Sequence, residues 1–88
     1  MRTLHELYLL LWEYIKDKKE LNDGLCVYIY YTFLNSIFNK EEYDLIRKHI
    51  RKKMTYNAIS YPYYFPDGET GTKQRKEFVL QMIEKTKP

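Results

Sequence analysis

The 88-residue chain has little cysteine and histidine, and each scarcity excludes a class of protein. Its single cysteine, Cys26, rules out an internal disulfide and is expected in a protein of the reducing cytoplasm. His5 and His49 have no evident partner for acid–base catalysis, and no set of Cys and His has the spacing of a metal site. No glycine-rich phosphate-binding loop and no Ser-His-Asp set are present. We therefore predict a protein that is not an enzyme and that holds no metal and no cofactor.

Long apolar runs are missing as well. No apolar segment reaches the roughly 18 residues that a helix needs to span the hydrocarbon core of a bilayer. The first twenty residues include the acidic residues Glu6, Glu13 and Asp17, which argues against a signal peptide. We therefore expect a soluble cytoplasmic protein with no membrane partner.

Charge is unevenly distributed along the chain, although the formal net charge is only +3. Residues 1–44 hold 5 Lys and Arg against 8 Asp and Glu, whereas residues 45–88 hold 10 against 4. A basic surface is therefore expected in the second half of the chain. The modest net charge argues against nucleic acid as the partner, because dedicated nucleic-acid binders are usually more basic.

The most apolar stretch runs from Gly24 to Phe38, and only Thr32, Asn35 and Ser36 interrupt it. A stretch this long without a turn signal favours a helix, although Val, Ile, Tyr and Phe are also typical of strands. A helix that is apolar nearly all round is either the central helix of a domain or a helix shared with a second copy. Its apolar surface is more than three short neighbours can cover, so we predict a homo-oligomer, most simply a twofold dimer.

Two capping boxes mark helix starts on either side of this stretch. Thr3 and Glu6 begin the first helix, and Asn39 and Glu42 begin the third, each followed by apolar residues at helical spacing. The predicted fold is mainly α, a single small domain of three to four helices with a long, ordered aromatic and proline-containing loop before the last helix. The expected bounds are about 4–19, 24–38, 40–53 and 72–86 for the helices and 55–71 for the loop.

One side of the third helix is strongly basic. Two pairs of residues at i,i+4 spacing on adjacent rows make up this basic face, namely Arg47 with Arg51 and Lys48 with Lys52. A run of charge is usually only solvated, so a solvated face and an anion-binding face both remain open. As a binding surface, the basic face fits either phosphate or an acidic host protein.

The loop and the start of the last helix form the candidate ligand site. Pro62 and Pro66 exclude a regular helix in the loop, and its tyrosines offer faces on which a base could stack. The amides after Gly71, together with Lys73 and Arg75, are expected to hold a phosphate. A plain helix N-cap with a glycine turn and exposed lysines would give the same pattern, and both interpretations remain open. The predicted ligand-binding residues are Tyr61, Tyr63, Tyr64, Phe65, Thr72, Lys73, Arg75, Arg47 and Arg51.

The charge at the start of the last helix is also unusual. A helix beginning at Thr72 carries Lys73, Arg75 and Lys76 in its first turn, where acidic residues would favour the helix dipole. Local rules that are broken in this way tend to cluster at functional sites. This placement adds to the expectation of an anion site.

Four short motifs lie along the chain: Trp12, Gly24-Leu25-Cys26, Tyr64-Phe65-Pro66-x-Gly68 and Arg75-x-x-Phe78-Val79. These motifs span nearly the whole chain, and together they resemble the sequence pattern of a family of small accessory proteins of tailed bacteriophages. The family pattern has Trp-Phe-Pro in place of Tyr64-Phe65-Pro66 and Leu in place of Val79, and residues 69–73 look inserted.

The resemblance implies an anti-defence protein that acts in the host bacterial cytoplasm. Some phage proteins of this size sequester a nucleotide-derived immune signal without turning it over. Others inhibit a host defence protein by direct contact, and for this chain the basic face would be the contact surface. Sequestration of such a signal at the candidate ligand site is the function predicted here, and inhibition of a host defence protein through the basic face is the alternative; the anti-defence role itself comes from family-level analogy.

Overall fold

Four α-helices account for most of the computed structural model, which describes the backbone of residues 1–57 and 65–88 and the side chains of 1–54 and 65–88. The helices are α1 (Leu4–Ile15), α2 (Leu25–Leu34), α3 (Lys40–Asn57) and α4 (Glu69–Lys85). Within the described residues, extended pairing is limited to one isolated antiparallel bridge between Leu21 and Gly68. The prediction of a mainly α domain with four helices is confirmed. However, α2 ends at Leu34 rather than at residue 38, α3 continues to Asn57 rather than ending at residue 53, and residues 58–64 of the predicted ordered loop lie outside the described residues.

The central helix of the fold is α1. It packs against each of the other three helices. The side chains that it buries completely share one face, and they are Leu7, Tyr8, Leu11 and Ile15. In contrast, α2 buries only Leu25, Ile29 and Thr32. Of the two alternatives for the apolar stretch 24–38, the central helix is therefore wrong, and the helix shared with a second copy remains.

The end of α1 is capped by a side chain from another helix. This helix ends at Ile15, four residues before the predicted end, so the basic residues that follow lie in the connection rather than in the last turn. Lys76 of α4 donates from Nζ to the carbonyl oxygen of Lys16 (3.1 Å) and to that of Lys18. A cation thus binds the carbonyl group at the C-cap of α1 and one in the connection that follows.

A short bend joins α2 and α3 into an antiparallel hairpin. Ser36 has a φ of 66°, in the left-handed region that non-glycine residues rarely adopt, and α2 ends just before it, at Leu34. The rings of Phe33 and Tyr43 then meet across the hairpin with their centroids 5.0 Å apart. The hairpin therefore has a packed aromatic contact beside its bend.

An ion pair between Arg2 and Glu42 ties the first residues of the chain to α3. Arg2 donates from Nε to Glu42 Oε2 (2.7 Å) and from Nη2 to Glu42 Oε1 (2.6 Å) and to the carbonyl oxygen of Ile37 (2.6 Å). Glu42 also completes the predicted capping box, because Oε1 accepts from the Asn39 amide (3.1 Å) and its own amide donates to Asn39 Oδ1 (2.9 Å). The hydrogen bond from Arg2 lowers the pKa of the Glu42 carboxyl to about 2.

Acid should remove the contribution of Glu42 to stability within a defined pH window. Its pKa of about 2 in the folded state lies below the ordinary value of 4.5, so the folded protein binds this proton less well than the unfolded chain does. The contribution is therefore complete above the ordinary value and is lost as the pH falls through the folded value. Glu42→Gln should be less stable at neutral pH by about 1–3 kcal/mol, and it should lose less stability than the parent on acidification.

Urea unfolding of both proteins between neutral pH and pH 2 measures this difference. Glu41→Gln is the matched control, because Glu41 is exposed in the same helical turn. The control should follow the parent across the whole range. If the Glu42→Gln curve runs parallel to that of the parent through the acid window, the ion pair with Arg2 does not stabilise the fold.

Candidate functional site

The start of α4, where the sequence predicts an anion site, is held by hydrogen bonds in the interior. We call Leu21, Gly68, Thr72 and Arg75 the Leu21 clamp, because the last three residues all bond to Leu21. The Leu21 amide donates to Thr72 Oγ1 (2.6 Å), and its carbonyl oxygen accepts from the Gly68 amide (3.2 Å) and from Arg75 Nη1 (3.0 Å). The clamp joins the connection between α1 and α2 to the beginning of α4.

Arg75 is completely buried although it carries a charge. It donates from Nη2 to the carbonyl oxygen of Phe65 (3.1 Å), and Nη2 lies 3.6 Å from Oδ1 of the exposed Asp67. Among the described residues its Nε has no hydrogen-bond partner. Burial lowers the pKa of the guanidinium, and the Asp67 carboxylate opposes that effect. Because Arg75 and Thr72 both point into the protein, neither presents a donor to a ligand from solvent.

The helix itself begins three residues before the predicted start at Thr72, namely at Glu69. An acidic residue therefore occupies the first turn, as the helix dipole favours, and the basic residues from Lys73 onward lie further along. The Thr72 amide donates to the carbonyl oxygen of Gly68 (2.9 Å) as an ordinary helical bond. The expectations of a basic first turn, and of an open amide directly after Gly71, are both wrong.

Lys73 is exposed on a surface groove of about 720 Å³ beside the first half of α4. The residues that line this groove carry both signs of charge or are uncharged, and they are Lys19, Lys73, Lys76, Glu69, Glu77, Thr70, Thr72 and Leu80. Lys76 already donates to the carbonyl oxygens at the end of α1. The two carboxylates offset two of the three lysines, so the groove keeps only a small net positive charge with which to attract an anion.

The rest of the predicted ligand set is spread over different parts of the chain. Phe65 is half-buried, with its ring centroid 6.1 Å from that of Phe78. Arg47 and Arg51 are exposed on α3. Three tyrosines of the set lie outside the described residues, and their stacking role remains a prediction: Tyr61, Tyr63 and Tyr64.

All four residues of the basic face of α3 are exposed: Arg47, Lys48, Arg51 and Lys52. Arg47 lies over the ring of Tyr43, 5.9 Å from its centroid. Burial raises the pKa of the Cys26 thiol on α2, whereas Arg47 and Arg51 lie near enough to oppose that effect. The row of Arg47 and Arg51 therefore borders α2. Lys48 and Lys52 each follow one of these arginines by one residue, so their row is rotated around α3 and lies further from α2.

Beside that border, α2 presents an apolar surface to solvent. We call Val27, Tyr30, Tyr31 and Leu34 the α2 stripe, because their i, i+3, i+4 and i+7 spacing places them on one helical face. Their exposed fractions are 39, 47, 45 and 57%, and α2 contains no charged residue. The stripe continues towards α3, since the ring centroids of Tyr30 and Tyr43 are 6.4 Å apart. Apolar patches rimmed by polar groups mark interaction surfaces.

Sequence reasoning missed the partners of the two histidines. The hydroxyl of the buried Tyr8 lies 2.7 Å from Nδ1 of His49, and Nδ1 of His5 lies 3.1 Å from the carbonyl oxygen of Ile83. Burial raises the pKa of Tyr8, which keeps its hydroxyl protonated and able to donate to Nδ1 of a neutral His49 imidazole. Burial, with Lys53 and Lys52 nearby, lowers the pKa of His49 and favours that neutral form. Both histidines thus join α1 to a neighbouring helix.

Neither a metal centre nor a membrane span is found in the described part of the chain. Within residues 1–57 and 65–88, no group of three or more Cys, His, Asp and Glu is placed to hold a metal ion. No helix in those ranges has both the length and the hydropathy that crossing a bilayer requires.

Comparison with known proteins adds no assignment. No family model matches the sequence, and no curated protein and no solved structure is significantly similar to it. The functional argument therefore depends on the chemistry of the chain's own surfaces.

Proposed function

We propose that the chain is a non-catalytic binding protein whose basic face engages an acidic surface of a protein partner. One observation carries the proposal: Arg47, Lys48, Arg51 and Lys52 are all exposed on one side of α3, whereas Arg75 is buried. The resemblance to phage accessory proteins makes a bacterial defence protein the expected partner. The chain would then inhibit that partner by direct contact in the host cytoplasm.

The composition of this surface supports a protein partner over nucleic acid. Glu41 and Asp44 are exposed on the part of α3 before the basic face. These carboxylates would repel a phosphate backbone that ran along the helix. A folded partner with a localised acidic patch avoids that repulsion.

A nucleotide-type ligand is the second candidate, and the groove beside α4 favours it. The volume of about 720 Å³ falls within the range of small-molecule sites. Lys19 and Lys73 are exposed along this groove and are available to phosphate oxygens. Binding there without turnover would sequester a nucleotide-derived immune signal.

Charge reversal on α3 tests the first candidate. Immobilised parent protein should capture one stoichiometric protein from host bacterial lysate. Lys48→Glu/Lys52→Glu should weaken that binding at least about tenfold, because attraction across the interface becomes repulsion. The matched control is Lys73→Glu/Lys85→Glu, which changes the net charge equally at two exposed positions of α4. This control should bind as the parent does.

The other outcomes are equally informative. If both double variants lose the captured protein, net charge controls the binding and the basic face has no special role. If the parent captures nothing, a thermal-shift screen of cyclic di- and trinucleotides and cyclic ADP-ribose isomers decides the second candidate. A ligand in excess over its Kd must raise the Tm by linkage, and Lys73→Glu should abolish the shift.

A further inference from the structure

The α2 stripe is an exposed apolar surface, separate from the Lys48 and Lys52 row of the basic face. We propose that the occupant of this stripe is a second copy of the chain, paired antiparallel about a twofold axis that passes between Tyr30 and Tyr31. The stripe lies on a helix without charged residues, and its four side chains are between 39% and 57% exposed. The order of the residues, the direction of α3 and the charge pattern of α3 each support this pairing.

The order of the residues along the stripe is self-complementary. An antiparallel twofold places Tyr30 of one copy against Tyr31 of the other, and Val27 of one copy against Leu34 of the other. Aromatic side chains thus meet aromatic ones at the centre, and aliphatic side chains meet aliphatic ones at both ends. A twofold interface requires this kind of self-matching patch, because the same surface is used by both subunits. Paired tyrosine rings would also stabilise the contact beyond their burial.

The direction of α3 determines which charges meet across the axis. Tyr30 contacts Tyr43, while Cys26, one turn earlier on α2, lies near Arg47 and Arg51 further along α3. The two helices are therefore antiparallel. A twofold axis that lies in the interface and runs perpendicular to α2 leaves the two α3 helices on the same side of the paired α2 helices. The beginning of α3 in one copy then faces the middle of α3 in the other.

The charges at these positions are opposite. Asp44 is acidic with 58% of its side chain exposed, and Arg47 is basic and exposed on the border with α2. Tyr43 lies beside Tyr30, next to the axis, so Asp44 lies close to the axis and Arg47 lies nearly one helical turn further along α3. The long side chain of Arg47 in each copy can therefore reach Asp44 of the other. An unrelated acidic helix on the stripe would be attracted by Arg47 and repelled by Asp44. A second copy instead offers Arg47 a carboxylate and adds a cation beside Asp44, whose Oδ2 lies 3.4 Å from Nζ of Lys40 in its own copy. Lys48 and Lys52 lie on the next row, away from α2, and remain open to a different partner.

Sedimentation equilibrium of the purified full chain, at tens of micromolar, tests the surface. The parent should be a dimer, and Leu34→Glu should be a monomer that keeps the helical circular dichroism of the parent, because Leu34 is exposed. Leu80→Glu is the matched control, since Leu80 is a 46% exposed leucine on α4, and it should remain a dimer. A monomeric parent, or a Leu34→Glu variant that still dimerises, would overturn the proposal.

A charge exchange tests the antiparallel pairing itself. In a dimer of Arg47→Asp alone, or of Asp44→Arg alone, residues 44 and 47 carry like charges at both symmetry-related contacts. Each variant should therefore raise the dimer dissociation constant at least about tenfold. An equimolar mixture of the two variants should recover the dimer, because each copy then supplies the charge that the other lacks. Failure of the mixture to associate would overturn the antiparallel arrangement. Lys48→Glu/Lys52→Glu should leave the dimer intact, so this proposal and the proposed function fail independently.

Discussion

Replacing Gly71 by alanine should destabilise the protein by about 3 kcal/mol or more, since overpacking of this kind typically costs 1–3 kcal/mol and occasionally more. A Cβ at this position would lie 1.4 Å from the carbonyl oxygen of Pro66 and 3.3 Å from Nη1 of Arg75. The first of these neighbours is a backbone atom, which cannot rotate away as a side chain can. The alanine variant must therefore move the segment before α4, and the hydrogen bond from Arg75 to Phe65 moves with it.

Thermal denaturation followed by circular dichroism measures the effect. The Tm should fall by roughly 12 °C or more, because each kcal/mol corresponds to about 4–8 °C in a domain of this size. Thr70→Ala is the matched control, since Thr70 is exposed at the neighbouring position of the same helix, and it should melt close to the parent. A Gly71→Ala protein that melts within about 2 °C of the parent would show that the contact with Pro66 is readily relieved.

The four helices could be predicted because their signals are local in sequence. The capping box of Thr3 with Glu6 needs residues only three positions apart, and the box of Asn39 with Glu42 needs the same spacing. The apolar positions of α3 recur at the helical period, and Ile46 and Ile50 are completely buried. Propensity and pattern agree in these segments, which is why sequence reasoning succeeds there.

The arrangement of the helices could not be predicted, because the contacts that set it join distant residues. Arg2 and Glu42 are 40 positions apart, and Arg75 and Leu21 are 54 apart. No spacing rule connects such pairs. Hydrophobicity was also misleading for α2, because an apolar composition does not show how much of a helix the domain buries, and Tyr30 and Leu34 are exposed. The periodic spacing of the α2 stripe was a usable signal, but it does not distinguish burial within one copy from burial between two.

The candidate site shows the same limit of sequence reasoning at one helix boundary, the start of α4. Gly71 and Thr72 read as a loop end followed by a helix start, which would leave amides open to an anion. The helix instead begins at Glu69, so Gly71 is a close-packing position inside it. A glycine needed for close approach and a glycine needed for a turn look alike in one sequence. The basic face, in contrast, was predicted correctly as an exposed surface, because long charged side chains rarely lie elsewhere.

Arg75→Met should lower the free energy of unfolding by about 2–4 kcal/mol, which corresponds to a fall in Tm of roughly 10–25 °C. Methionine keeps much of the apolar volume of the side chain and removes both donors. The carbonyl oxygen of Phe65 then loses the guanidinium that binds it, and that of Leu21 keeps only the Gly68 amide. Removal of a buried charge offsets part of this loss, because Nε has no partner among the described residues and Asp67 is exposed. The sign is decided by the Phe65 carbonyl group, which loses this donor, and by the Leu21 carbonyl group, which keeps one donor of two.

Urea and thermal unfolding without ligand separate this structural role from a binding role. Lys73→Met is the control, because Lys73 is exposed two positions before Arg75, and it should stay within about 0.5 kcal/mol of the parent. Arg75→Lys should also be destabilised, because one ammonium group cannot reach the carbonyl oxygens of Leu21 and Phe65 in the planar fork geometry of a guanidinium. Thr72→Val combined with Arg75→Met should cost less than the two single changes together, since both act through the Leu21 clamp. An Arg75→Met protein as stable as the parent would show that the clamp does not hold α4 in place.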